Sequence, residues 1–86
     1  MRIKIIEKHL KGYYGYAYPE TGEIEIDPRL SDYNYMSTLI HEVLHVLFPD
    51  MSETEVNRKS QTIAHQLRKA GYRSHRPKRA SVPLPE

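Results

Sequence analysis

Pro49 separates two stretches of helical patterning, and this break constrains the fold more than any other feature of the chain. Ser31 and Asp32 are potential N-cap residues for the first stretch. Residues 33–48 then place apolar side chains at helical spacing, at Met36, Ile40, Val43, Leu44 and Leu47. Because proline disfavours the α conformation in the residue that precedes it, this helix must end before Pro49.

A second helix is predicted after the proline. Ser52 can cap its first turn, and Glu55, three residues later, completes the pattern of a capping box. Gly71 is a natural terminator of the helix. Between these ends lies an apolar stripe formed by Val56, Ile63, Ala64 and Leu67. Because only a short turn joins the two helices, we expect them to pack side by side.

Three short segments before the helices have strand patterning: residues 2–7, 13–18 and 23–27. Pro19 and Gly22 supply a turn that joins the second and third segments into a hairpin. Gly15 permits a bulge or a close approach of another backbone. The chain is therefore predicted to be an α+β protein, with a short, mostly antiparallel sheet of about three strands packed on two helices.

The chain is too short for more than one folded domain. Its 86 residues predict a domain over residues 1–72, followed by a basic, proline-containing flexible tail over residues 73–86. Cysteine is absent, which excludes disulfide frameworks, thiolate metal sites and cysteine nucleophiles. Any bound metal ion must therefore use histidine, aspartate or glutamate ligands.

Charge is distributed unevenly along the chain. Residues 1–57 contain five Lys or Arg and ten Asp or Glu, a net charge of −5, whereas residues 58–86 contain eight and one, a net charge of +7. A basic end of this kind can contact nucleic acid or an acidic partner. Glu53 and Glu55 would repel phosphates from the start of the second helix, which disfavours a DNA-reading helix there. Since no apolar run is long enough to span a membrane and no signal-peptide pattern is present, we expect a cytoplasmic protein.

The first helix carries His41-Glu42-Val43-Leu44-His45, an HExxH motif. Residues four apart lie on one face of a helix, so both imidazoles can bind one zinc ion. Glu42 can then act as the general base on a metal-activated water that attacks a carbonyl group. The motif predicts a zinc-dependent hydrolase with His41 and His45 as metal ligands and Glu42 as the catalytic residue.

The second helix is expected to supply the third ligand, because a catalytic zinc ion usually has three ligands from the protein. At 100° per residue, Glu53 lies about 60° from the apolar stripe of this helix, whereas Glu55 lies about 100° from it. Glu55 also has a structural role in the capping box. We therefore predict Glu53 as the third ligand, with Glu55 as the alternative.

The segment TLIHEVLHVLFPDMSETEVNR, preceded by EIEIDPRL, resembles small HExxH zinc metallopeptidase-like proteins of phages and bacteria. These are minimal relatives of the zincins, of the gluzincin type with a glutamate as third ligand. The resemblance covers roughly residues 13–72 and implies a sheet packed on an active-site helix, which a ligand-bearing helix follows. It implies peptide hydrolysis at a site formed by His41, Glu42, His45 and Glu53. The third histidine of a metzincin is absent, since Phe48 and Met51 occupy the corresponding positions.

The predicted partner is a peptide or protein substrate. An extended peptide can add to the edge of a sheet, and the strand at residues 23–27 leads directly toward the active-site helix. If this strand is an exposed edge near the metal, Glu23 and Glu25 favour cationic peptides. Several tyrosines could either stabilise an oxyanion or pack at the edge of the core, and the sequence favours packing for each of them: Tyr14, Tyr16, Tyr18, Tyr33 and Tyr35.

The alternative function is a non-catalytic binding module that retains zinc for stability, since a small domain often needs a metal to supplement its core. Its basic tail could contact nucleic acid or an acidic partner. The sequence does not indicate an oligomeric state.

Overall fold

A computed structural model describes residues 2–73 of the chain. It contains three strands and two helices: β1 (Lys4–Glu7), β2 (Gly15–Tyr18), β3 (Glu23–Ile26), α1 (Asp32–Leu47) and α2 (Glu53–Lys69). The predicted α+β class is therefore confirmed. The predicted tail lies outside the described residues except for Arg73. Neither helix in residues 2–73 is long and apolar enough to cross a membrane.

The sheet is mixed, with strand order β1-β3-β2. β2 and β3 form the predicted antiparallel hairpin, but β1 pairs with β3 in parallel. The expectation of a mostly antiparallel sheet is therefore wrong. Turn residues determine the hairpin locally, whereas the side on which β1 adds depends on long-range contacts. One such contact is at Gly22, which has a φ of 82°. A Cβ at this position would lie only 2.5 Å from the Arg2 carbonyl oxygen, so the chain before β1 can approach only because glycine has no side chain.

The central position of β3 contradicts its predicted role as a substrate-docking edge. Residues 23–27 do not form an exposed edge, because β3 is paired on both sides. Side chains alternate along a strand, so Glu23 and Glu25 occupy the sheet face opposite to the fully buried Ile24 and Ile26. The edges of the sheet are β1 and β2.

The connection between β1 and β2 is tied to the end of β3 by the buried carboxylate of Asp27. This group accepts hydrogen bonds from the Leu10 backbone N–H at 3.0 Å and from the Arg29 guanidinium at 2.6 Å. The same guanidinium donates to the Leu10 carbonyl oxygen at 3.3 Å. Hydrogen bonding to the Arg29 side chain holds the pKa of Asp27 well below its usual range. These bonds stabilise the loop that leads the chain into β2.

Helix α1 packs on β2 and β3 and also on α2. Its most deeply buried positions form a stripe at Tyr35, Thr38, Glu42 and Val46. This stripe differs from the predicted one, whose members are half-buried apart from the exposed Leu47. At the centre of the observed stripe, Thr38 and Glu42 pack closely on β2 because residue 15 has no side chain: a Cβ on Gly15 would lie only 2.8 Å from Thr38 Cγ2 and 3.3 Å from Glu42 Cγ. The predicted close approach at Gly15 is a contact between strand and helix.

Helix α2 buries Val56, Ser60 and Ala64. The first and last of these belong to the predicted apolar stripe, whereas Ile63 lies at its margin and is exposed. The N-cap is also as predicted, because the Ser52 side chain accepts a hydrogen bond from the Glu55 backbone N–H at 3.2 Å.

Gly15→Ala is expected to destabilise the protein by about 1–3 kcal/mol, since the added methyl group overlaps Thr38 and forces β2 and α1 apart. Urea unfolding of the wild type and the variant measures this loss. Thr38→Ser removes only the clashing Cγ2 atom, so the double variant should recover part of the stability. An unchanged midpoint in Gly15→Ala, or no coupling between the two substitutions, would contradict the close packing.

Candidate metal centre

The two histidines of the HExxH motif lie one turn apart on α1 and face the same way. Their ring centroids are 4.9 Å apart, with planes at 66° to each other. Their side chains are 18% and 25% exposed. They are therefore held by the protein on one side and accessible on the other, as an open metal site requires.

Glu53, the first residue of α2, completes the cluster. One oxygen of its carboxylate lies 3.1 Å from His41 Nε2 and the other lies 2.9 Å from His45 Nε2. Potential ligand atoms of all three residues lie within 4.8 Å of one another. Glu53 reaches this position because it precedes Val56 by three residues, and the buried face of α2 packs on α1. These three residues lie close enough to bind a metal ion.

Glu55, the alternative ligand, does not join the cluster. Its carboxylate pairs with Arg58 Nη2 at 2.8 Å and with Lys59 Nζ at 3.5 Å on the surface of α2. The hydrogen bond from Arg58 lowers the pKa of Glu55. The helical-wheel prediction that favoured Glu53 over Glu55 therefore agrees with the observed positions of these residues.

Glu42 is the most buried acidic group at the site, with only 8% of its surface exposed. Gly15 and the aliphatic part of Glu42 are in close contact, which keeps the carboxyl group away from bulk water. Burial raises the pKa of Glu42 to about 7, a shift that the negative charge of Glu53 increases and His45 opposes. A carboxyl group with this pKa can accept and release a proton near neutral pH.

His41 is also affected by its surroundings. Burial lowers its pKa, and the effect of Glu53 in the opposite direction does not cancel this. A lowered pKa favours the neutral imidazole, which is the form that binds a metal ion.

Two cavities meet at this site. One, of about 350 Å³, is bounded by Tyr16, Ala17, Pro19 and Pro49, and the other, of about 480 Å³, by residues that include Tyr13, Tyr14, Asn57 and Gln61. Both cavities are also lined by Gly15 and by His41, Glu42 and Glu53. His41 and Glu53 therefore border both cavities, His45 borders the smaller one, and each cavity has room for part of a ligand.

The tyrosines that the sequence could not distinguish have different surroundings in the structure. Tyr14 and Tyr16 line the cavities beside the cluster. Tyr35 is buried and its hydroxyl group donates to Glu7 at 2.6 Å, whereas the ring of Tyr33 is covered by a guanidinium group. Tyr18 stacks edge-on with Tyr16 on the sheet.

Sequence reasoning missed several residues that line the cavities. Tyr13, Asn57 and Gln61 belong to this group. The sequence contained one usable signal: Asn57 and Gln61 lie four and eight residues after Glu53, and so lie near the same side of α2. Tyr13 has no comparable signal, because its position depends on the loop between β1 and β2.

Glu53→Ala is expected to weaken zinc affinity by more than about tenfold, because it removes the carboxylate that meets both imidazoles. Competition with a chromogenic chelator measures the affinity. Glu55→Ala is the matched control, since it removes the same group two residues away and should leave zinc affinity nearly unchanged. Equal affinities of the two variants would contradict the assignment of Glu53.

Glu42→Gln is expected to stabilise the metal-free protein at pH 8 but not at pH 4. Folding raises the pKa of Glu42 from 4.5 to about 7, so the unfolded chain loses the Glu42 proton at a lower pH than the folded protein does. The free energy of unfolding therefore falls as the pH rises through this range. The full effect is on the order of 3 kcal/mol, and glutamine keeps the shape without the charge. Thermal unfolding with a chelator present measures it at each pH.

Glu55→Gln is the control for this pH dependence, because the pKa of Glu55 is lowered. Its effect has the opposite sign: the stability that the carboxylate contributes is present above its unfolded pKa and lost in acid. Equal gains for Glu42→Gln at both pH values would show that the buried charge is not the cause.

Comparisons of this chain with protein-family models, with curated proteins and with solved structures found no match. The resemblance to minimal zincins therefore stays a prediction. The assignment of a possible metal site depends on the geometry of His41, His45 and Glu53.

Proposed function

We propose that the protein is a zinc-dependent metallopeptidase that hydrolyses peptide bonds. The observation that carries this proposal is the contact of one Glu53 carboxylate with both histidines, beside a buried Glu42. The three ligand candidates, the proton acceptor and the open space for a substrate all meet on one side of α1.

Zinc fits the donor set better than a hard cation does. Two imidazole nitrogens and one carboxylate are typical of catalytic zinc sites, which keep a further position open. Zinc held by His41, His45 and Glu53 would supply Lewis acidity, which polarises a substrate carbonyl and makes a nearby water more acidic.

Glu42 is the proposed general base. Its carboxylate form can accept the proton of the attacking water. The protonated form can then donate that proton to the nitrogen of the leaving amine. Packing against β2 at Gly15 limits the orientations of its side chain, and Glu42 lines both cavities.

The proposed substrate is an extended peptide. β2 is an edge strand, and three of its residues, Gly15, Tyr16 and Ala17, line the smaller cavity together with His45. An added peptide strand would obtain main-chain hydrogen bonds from such an edge. The two adjoining cavities could accept residues on the two sides of the scissile bond.

The small core supports a second candidate, a zinc-stabilised binding module without catalysis. The buried apolar residues of the described part of the chain are Leu10, Ile24, Ile26, Tyr35, Val46, Val56 and Ala64. A metal shared between α1 and the start of α2 would add a link between the helices. This candidate predicts zinc binding and a gain in stability but no hydrolysis.

Glu42→Gln distinguishes the two functions. For an enzyme, the zinc-loaded variant should retain about one zinc per chain and lose hydrolysis by about 100-fold or more, since the general base is removed. Cleavage of a peptide library, read by mass spectrometry, and metal analysis measure the two properties. Zinc binding without cleavage by the wild type would favour the binding module, and absence of zinc from both proteins would reject both functions.

A further inference from the structure

A separate cavity of about 360 Å³ lies at the other end of the helix pair, between the first turn of α1 and the last turn of α2. It shares no lining residue with the two cavities of the metal site. Arg68 follows Glu53 by 15 residues along α2, which corresponds to about 22 Å of helix. The metal site does not account for this third cavity.

Aromatic rings and guanidinium groups line this cavity. The Arg68 guanidinium lies over the Tyr33 ring, with Cζ 4.9 Å from the ring centroid. Tyr72 is 64% exposed, yet its backbone is held, because its N–H donates to the Leu67 carbonyl oxygen at 2.9 Å. This bond and the positive φ of Gly71 form the helix end that turns Tyr72 back toward the cavity.

The positive charges at this end are not neutralised within the described structure. Arg68, Lys69 and Arg73 are exposed and form no ion pair among residues 2–73. One carboxylate, that of Asp32, lines the cavity together with the two guanidinium groups of Arg68 and Arg73. Cations therefore exceed anions at the opening.

We infer that this cavity binds single-stranded nucleic acid. Arg68 and Arg73 contact phosphates, and a base stacks on the exposed ring of Tyr72. Arginine beside an aromatic ring suits this ligand because a guanidinium group can bind a phosphate and also stack on a base. An acidic peptide would use the charges but would leave the exposed ring without a stacking partner.

The test is fluorescence anisotropy of a labelled oligothymidine of about twelve nucleotides with the full chain. Binding is expected to weaken with added salt, and Tyr72→Ala is expected to raise the dissociation constant at least about fivefold. Tyr72→Phe keeps the ring and should bind like the wild type. Arg68→Gln and Arg73→Gln should each reduce the slope of log K against log salt by about 0.7.

Arg58→Gln is the matched charge control, because Arg58 lies on the same helix but pairs with Glu55. It should leave binding unchanged. Thermal unfolding shows whether each variant is folded. Tyr72→Ala should leave the unfolding temperature unchanged because the side chain is exposed. The Arg73 variant provides an independent test if loss of Arg68 disturbs Tyr33.

Four results would overturn the inference. These are absence of binding, equal binding by Tyr72→Ala, equal or tighter binding of a duplex of the same length, and displacement of the oligonucleotide by polyglutamate at equal charge concentration. The second result would assign binding to the basic residues after Arg73, and the last would indicate an acidic protein partner. None of these results depends on whether the metal site hydrolyses peptides, so the two proposals fail separately.

Discussion

The close contact between α1 and β2 at Gly15 is the constraint on which the rest of the structure depends. Because a Cβ there would overlap Thr38 and press on Glu42, the strand and the helix can approach only when residue 15 has no side chain. This approach buries Glu42 and brings β2, an edge strand, beside the two histidines. The hydrogen bonds of Asp27 with Leu10 and Arg29 hold the loop that leads into β2.

Burial of Glu42 has opposite consequences for stability and for chemistry. A carboxyl group with a pKa near 7 destabilises the folded state at neutral pH, because its charged form is poorly hydrated. The same position, beside His41 and at the cavities, makes Glu42 the proposed proton acceptor for hydrolysis. Such a group is typical of functional sites, which often reduce stability in exchange for reactivity. Glu55, only two residues after Glu53, shows the contrasting case of an exposed carboxylate stabilised by its Arg58 pair.

The helix pair separates two chemical environments. His41, His45 and Glu53 lie where α1 ends and α2 begins, whereas Arg68 and Arg73 line the cavity at the other end, together with Asp32. Helix α2 separates Glu53 from Arg68 by 15 residues, about 22 Å of helix, so the two groups cannot approach one another. A peptide site and a nucleic-acid site could therefore coexist without competing for the same surface.

The sequence by itself determined the features that depend on neighbouring residues. Pro49, Ser52 and the apolar spacing specified two helices and the turn between them, and the one-turn spacing of His41 and His45 placed both on one face. Glu53 was within reach of prediction because it lies near the buried face of α2. Only the tertiary structure decided the central place of β3, the parallel pairing of β1, the burial of Glu42 and the tyrosines that line the cavities. These features depend on contacts between residues distant in sequence, which local periodicity does not encode.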